Sequence, residues 1–396
     1  MRLAARFTAP LLAGLFACQL AGRKSVGEVL LQIDLPDRGP RFSSALYQAV
    51  GVSLTPGNAV EWMHNGAVFQ AMAADIAGAR NSVNVVTFIW ADGKCSKTLL
   101  AELGEATQRG VKCRVLVDAV GSFTLNDEPL KMAGCEVRRF RPVPGQDDLA
   151  RDHRKLVIVD GGLGYAGGFG IDDKWLGHGK KDDEWRDSNA RMSGPAVRQM
   201  QQAFAENWLE AGGSLLPLTD FPKLEDAGKV QAAVVTSSGA NVVTKADRLM
   251  QLLIAAAHKR LWISNAYFVP SEPIIDLLGK KALDGVDVRI LMAGEKTDTR
   301  VYLPDQRARV ARLLPSGVRA FEYAPSMMHA KTVLVDDDVV SVGSLNLDAL
   351  SLNKMEEVTL VAQDRTLAQQ LAEAFTDDMT RSLEVKLPKD PKQRVQ

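Results

Sequence analysis

Two short stretches of the chain carry residues suited to nucleophilic and acid–base chemistry. They are His153-Arg154-Lys155 running to Asp160, and His329-Ala330-Lys331 running to Asp336. The chain has five histidines, and only these two are followed by Lys two residues on and Asp seven residues on. In extended chain alternate side chains share a face, so each His and its Lys point into one site. A lone His–Lys pair on a strand is usually a polar edge. Two pairs brought together would surround a phosphate with two imidazoles and two ammonium groups. One imidazole could attack phosphorus and the other protonate the leaving oxygen. Lys155 and Lys331 would balance charge on the non-bridging oxygens, and neither a metal nor another cofactor is required. Asp160 and Asp336 lie an odd number of residues beyond, on the opposite face of a regular strand, which suits closing a turn.

What brings the two pairs together is an internal repeat. Residues 81–90 match 259–268, 110–118 match 285–293, 134–140 match 317–323, and 153–160 match 329–336. The offset stays between 175 and 183 (285 − 110 = 175; 329 − 153 = 176; 317 − 134 = 183). Each copy alternates strand and helix. Val83–Trp90 and Val111–Asp118 are apolar and β-branched, while Leu99–Arg109 and Ile274–Leu283 have helical apolar faces. The pattern predicts α/β units with a parallel or mixed sheet. Pro217–Lys229 reads as the connection. The expected organisation is an N-terminal segment over 1–24, an irregular Pro/Gly-rich region over 25–57, and units over 58–221 and 222–396.

The remaining composition narrows the partners. Lys plus Arg and Asp plus Glu number 48 each, so no global basic field points to nucleic acid. Of the four cysteines none forms a CxxC pair, and Cys113 in an apolar run reads as core packing. Arg2 and Arg6 precede the apolar stretch Phe7–Leu20, which reads as an export signal or anchor. Leu15-Phe16-Ala17-Cys18 resembles a bacterial lipobox, with Cys18 as the lipidation candidate. His64 and His178 read as turn and loop residues.

The doubled motif resembles the signature of the phospholipase D superfamily, over about residues 57–385. That resemblance implies two α/β sandwich units packed with pseudo-twofold symmetry and an active site at their interface. The catalytic set it implies is His153, Lys155, Asp160, His329, Lys331 and Asp336, with His153 the nucleophile and His329 the acid–base group. Gly343-Ser344-Leu345-Asn346 is similar to the family's Gly-Ser-x-Asn, which makes Ser344 and Asn346 phosphate ligands together with Gly168 of the first unit; Gly170 stands where the family often has Asn. The family also supplies each histidine with a downstream carboxylate to set its tautomer. In sequence order these are Asp187 for His153 and Glu357 for His329, with Glu356 the adjacent alternative.

Segments in both halves, among them Asn65-Gly66, Arg151–Lys155, Trp185-Arg186-Asp187 and Asn265–Pro270, resemble bacterial cardiolipin synthases. The implied reaction moves a phosphatidyl group onto phosphatidylglycerol at a membrane surface in the bacterial envelope, on its periplasmic side if Cys18 is lipidated. Met327-Met328 and the loop Leu176–Lys181 are candidates for touching that surface, although a Met pair is more often core. A hydrolase of phospholipids, and a nuclease of the same superfamily, use the same residues and stay open as alternatives.

Overall fold

A computed structural model of the chain describes residues 29–33, 35, 40–142, 150–239 and 243–386. Seven strands build the first half: β1 (Thr55–His64), β2 (Ser82–Thr87), β3 (Lys112–Asp118), β4 (Glu136–Phe140), β5 (Leu156–Val159), β6 (Leu163–Gly167) and β7 (Ser188–Ser193). Eight follow: β8 (Val230–Ser237), β9 (Arg260–Asn265), β10 (Asp287–Ala293), β11 (Arg319–Tyr323), β12 (Thr332–Val335), β13 (Val339–Gly343), β14 (Glu357–Gln363) and β15 (Ser382–Glu384). They form one mixed sheet in the order β15-β11-β10-β9-β12-β13-β14-β8-β1-β7-β6-β5-β2-β3-β4. Read outward from the β1–β8 seam, the two halves have the same order. This is the pseudo-twofold arrangement of two α/β units that the repeat predicts.

Within each half the strands rich in Val, Ile and Leu lie at the centre. All residues of β2, β5, β12 and β13 are buried. β2-β3-β4 and β9-β10-β11 run parallel, joined by helical crossovers such as Lys94–Gln108, which buries Cys95, Leu99, Leu103 and Ala106 along one face. β5–β6 and β12–β13 are antiparallel hairpins, and β6 and β7 pack on β13 and β14 across the middle of the molecule.

The Asp of each motif closes one of these hairpins. Asp160 and Asp336 sit in the left-handed region, with φ of 52° and 51°. This backbone suits Asp better than most residues, because its short polar side chain bonds locally. Asp160 accepts from the amides of Arg80, Asn81 and Ser82, and Asp336 from those of His258, Lys259 and Arg260. Each carboxylate thus ties the hairpin turn to the start of β2 or β9, and holds in place the strand that follows the motif's Lys.

Two expectations need correction, and a third is decided between its two readings. Residues 25–57 are not irregular throughout, since Pro40–Val50 is a helix. Its Phe42, Leu46 and Val50 recur every fourth residue and are buried against the second half, a spacing that the Pro- and Gly-rich flanks obscure. Cys113 is not a free core thiol: it forms a disulfide with Cys135, clasping β3 to the turn before β4. The parallel pairing of β3 with β4 brings together residues 22 apart in sequence. Met327 and Met328 are both buried, at 1% and 0% exposure, and present nothing to a membrane. The apolar stretch Phe7–Leu20 and Cys18 lie outside the described residues, among which no helix is long and apolar enough to cross a membrane.

Candidate active site

Both motif histidines sit in extended segments just before β5 and β12, not within the strands. What fixes them is a pair of short backbone exchanges between the halves. His153 N–H donates to Glu356 O at 3.0 Å, and Glu356 N–H to Arg151 O at 2.9 Å. His329 N–H donates to Arg186 O at 2.7 Å, and Arg186 N–H to Met327 O at 2.8 Å. Each histidine segment therefore pairs with the carboxylate-bearing segment of the other half.

That backbone register reverses the sequence-order assignment of the carboxylates. Glu357 faces His153, with Nδ1 3.0 Å from Oε1, and Asp187 faces His329, with Nδ1 3.0 Å from Oδ2. Sequence order pairs each carboxylate with the histidine upstream of it, whereas the twofold packing crosses the partners. Glu356, the adjacent alternative, instead binds the buried Arg154 at 3.0 Å and the hydroxyl of Ser238. A second buried tie crosses the halves nearby, from the Arg186 guanidinium to Asp378 at 2.8 Å.

A carboxylate on Nδ1 holds the Nδ1–H tautomer, which leaves Nε2 as the reactive nitrogen of each ring. His153, Lys155, His329 and Asn346 line one cavity of about 290 Å³ between the halves. Its walls include the aromatic rings of Phe88, Trp175, Trp185, Tyr267 and Tyr302 and the carboxyl groups of Asp298 and Asp348. Phe88 meets His153 edge-on at 5.2 Å, and Trp175 meets His329 edge-on at 5.1 Å. Lys155 Nζ donates to the carbonyl oxygen of His153 at 2.6 Å, and Lys331 Nζ to that of His329, so each ammonium is folded back beside its own imidazole.

Burial sets the protonation states. It lowers the imidazolium pKa of His153, with the Lys155 charge adding to the effect, and it brings His329 down to about 4. Burial also brings Lys155 down to about 8 and Lys331 to about 7. For Asp187 burial acts upward, but the bond to His329 and the nearby Lys331 hold its carboxyl below the usual range. Glu357 is held down in the same way by His153 and Lys155. The cavity thus holds neutral imidazoles beside two desolvated ammonium groups, whose charge the carboxylates of Glu357 and Asp187 partly offset. A phosphodiester anion placed there would favour the protonated form of each neighbouring base.

Of the three residues expected to touch phosphate, only Asn346 lines the cavity, and its Oδ1 is buried without a hydrogen-bond partner. Ser344 is turned away: its hydroxyl donates to Glu357 and accepts from Val358 N–H at 3.0 Å. Gly168 makes room, since a Cβ there would stand 2.5 Å from Oδ1 of Asp187. Asp160 and Asp336 stay at the hairpin turns described above. Residues that the sequence reading passed over include Trp175, whose indole N–H donates to Asp187 Oδ2 at 2.7 Å, and Ser351, whose hydroxyl donates to Glu357 Oε1 at 2.6 Å. The signal was present in the repeat, because 351 − 175 equals the motif offset of 176. Ser and Trp are too unlike for a residue-type match to reveal it. His64 closes β1, bonded to Ser188 at 3.1 Å, and takes no place in the cavity.

Comparison with known proteins identifies the family of this fold. The family model described as cardiolipin synthase, PLD-like domain, matches residues 72–208 and 250–379. Cardiolipin synthase A of Pseudomonas putida (strain GB-1) is 34% identical over 336 residues, covering 83% of this chain and 70% of that protein. Cardiolipin synthase 2 of Bacillus anthracis is 33% identical over 339 residues, covering 83% of this chain and 65% of that one. Among solved structures, the phosphatidylserine synthase of Haemophilus influenzae Rd KW20 has the same fold, with a TM-score of 0.68 at 15% identity over 87% of this chain and 92% of that chain. Family match, curated relatives and fold agree, and the chain belongs to the cardiolipin synthase family of phosphatidyltransferases within the phospholipase D superfamily.

Proposed function

We propose that this enzyme makes cardiolipin by moving a phosphatidyl group from one phospholipid to phosphatidylglycerol, through a phosphohistidine on His153. Nε2 of His153 attacks phosphorus, the bond from phosphorus to the leaving alcohol oxygen breaks, and His329, held as the imidazolium by the charge of the bound phosphodiester and of Asp187, gives that oxygen its Nε2 proton. The hydroxyl of phosphatidylglycerol then yields its proton to His329 and attacks phosphorus, and the phosphorus–nitrogen bond breaks. With two phosphatidylglycerols the released alcohol is glycerol. One phosphodiester replaces another, so no nucleotide is consumed. Lys155, Lys331 and Asn346 stabilise the charge on the non-bridging oxygens. The observation that carries this reading is that both histidines line one cavity with Nδ1 held by a carboxylate.

The same reading extends to where the enzyme works. The Cys113–Cys135 disulfide supports maturation outside the reducing cytoplasm, in keeping with a lipobox-like Cys18 and a catalytic body on the periplasmic side of a bacterial membrane. Contact with the lipid surface falls to two loops at the cavity mouth. Gly121 lies against Phe88, and its neighbours Val120 and Phe123 are 55% and 77% exposed. Val301, 78% exposed, sits between the cavity-lining Thr299 and Tyr302 in the repeat-related loop of the other half.

Purified protein incubated with phosphatidylglycerol vesicles, with His329→Ala as control, tests the function by mass spectrometry of the lipids. Cardiolipin and glycerol, both absent in the control, are expected. Phosphatidic acid alone would mean that water resolves the intermediate and the enzyme is a hydrolase.

A further inference from the structure

The two halves place the same backbone around the two histidines but furnish it with different side chains. Three pairs of positions carry the difference, each at the motif offset: 344 − 168, 346 − 170 and 351 − 175 all equal 176. In the second half these positions are Ser344, Asn346 and Ser351, and both serine hydroxyls donate to Glu357. In the first half they are Gly168, Gly170 and Trp175. There one donor, the indole N–H of Trp175, reaches Asp187 from the position that Ser351 occupies in the other half. The bulk of the indole explains Gly170, and the Asp187 carboxylate explains Gly168. A Cβ at Gly170 would stand 2.8 Å from the Trp175 ring, and a Cβ at Gly168 would meet the Asp187 carboxylate. Trp175 is 1% exposed, packs against Trp185 with ring centres 4.5 Å apart, and turns its face or edge to His329 at 5.1 Å and 86°.

We infer that Trp175 is a positioning residue for the reaction: with the Ser188 amide on Oδ1, its indole hydrogen bond to Oδ2 holds the Asp187–His329 pair in one rigid orientation, where the other half holds Glu357–His153 with two rotatable hydroxyls. This rests on the proposed roles of the two histidines. A rigid indole fixes its carboxylate and excludes water on one side. That suits the histidine that must receive a proton from one alcohol after giving one to another. Serine hydroxyls can turn between donor and acceptor as charge builds on a phosphorylated ring, which suits the nucleophile. The dense packing around Trp175 also accounts for the missing second amide: the indole fills the volume that Asn346 takes in the other half, so the first half keeps aromatic wall where the second half keeps a phosphate ligand.

A substrate whose leaving group needs no proton separates the roles. With phosphatidyl-p-nitrophenol, formation of the phosphohistidine releases nitrophenolate without help from His329. Resolution by phosphatidylglycerol still needs it as a base. Trp175→Phe keeps an aromatic ring of smaller size and removes the donor. The expected result, at saturating lipid so that altered binding at the cavity wall drops out, is a nitrophenolate burst slowed far less than the steady turnover, which falls roughly tenfold, the loss typical of one hydrogen bond to a charged group. With one donor fewer, Asp187 stabilises the His329 imidazolium more strongly, so the acid limb of the steady-state profile moves to higher pH. Gly170→Ala, which pushes on the indole from its other side, is expected to slow the same phase. Burst and steady rate falling together, or an unmoved pH profile in a folded Trp175→Phe protein, would reduce Trp175 to core packing and overturn the inference. Absence of any His153-dependent burst in the wild-type protein would remove the proposed function, and this inference with it.

Discussion

Exchanging each carboxylate for its amide tests the crossed pairing of histidines and carboxylates. Glu357→Gln keeps the shape of the side chain beside His153 and removes its charge. In the native site that carboxylate takes Nδ1–H at 3.0 Å and is itself braced by Ser344 and Ser351. The phosphorylated ring carries positive charge, so the carboxylate matters more in the intermediate than in the resting enzyme. A hydrogen bond to an ionised group contributes about 1.5–3 kcal/mol, which corresponds to a loss of roughly 10- to 150-fold in the rate of phosphohistidine formation. Rapid-quench measurement of the nitrophenolate burst reads that step directly. Glu357→Gln is expected to slow the burst by this factor. Asp187→Asn is expected to spare it and to slow resolution. The opposite outcome, a burst slowed by Asp187→Asn and untouched by Glu357→Gln, would refute either the crossed geometry or the choice of His153 as nucleophile. Phosphopeptide mapping would then decide between the two.

Other outcomes follow from the same geometry. Burial brings Lys331 to about 7 and Lys155 to about 8, so kcat/KM is expected to fall on the alkaline side across that range as the ammonium groups lose their protons. Because both lysines titrate lower in the fold than in the unfolded chain, the unfolded state binds more protons above about pH 7. Stability measured by urea titration should therefore rise between about pH 7 and the usual lysine range near 10.4, while activity falls. Replacing Cys113 and Cys135 together with Ala is expected to cost about 3 kcal/mol in the same titration, given the 22-residue separation. Alkylation with and without reductant, followed by mass spectrometry, checks that the bond is present in protein isolated from cells. Phe123→Ser combined with Val301→Ser should weaken sedimentation with anionic vesicles while leaving activity on detergent-dispersed phosphatidylglycerol near wild type. An equal loss in both assays would mean that these loops serve the cavity and not the membrane.

Much of this protein was legible before any fold was known, because its chemistry is written twice. His153 with Lys155 and His329 with Lys331 recur at one offset, and the same offset recovers the strands, the crossovers and the twofold order of the sheet. Repetition of this kind is local information. Each unit must bury the same apolar face, so it keeps the same spacing of Val, Ile and Leu. Even the position of Asp160 and Asp336, one face away from the histidines, could be read as a turn device from the alternation of a strand. What the sequence could not settle is everything that depends on which half meets which. The partners of the histidines cross because residues 151–153 pair with 356 and residues 327–329 with 186, a backbone exchange between segments far apart in the chain. The Cys113–Cys135 bond depends on the parallel register of β3 and β4, and the burial of Met327 and Met328 on the packing at the seam. Likewise Ser344 looks like a phosphate ligand in one dimension and serves Glu357 in three. Side-chain type and spacing determine which groups can react. Only tertiary packing determines which carboxylate reaches which imidazole, because a hydrogen bond is formed by distance and direction in space and not by order along the chain.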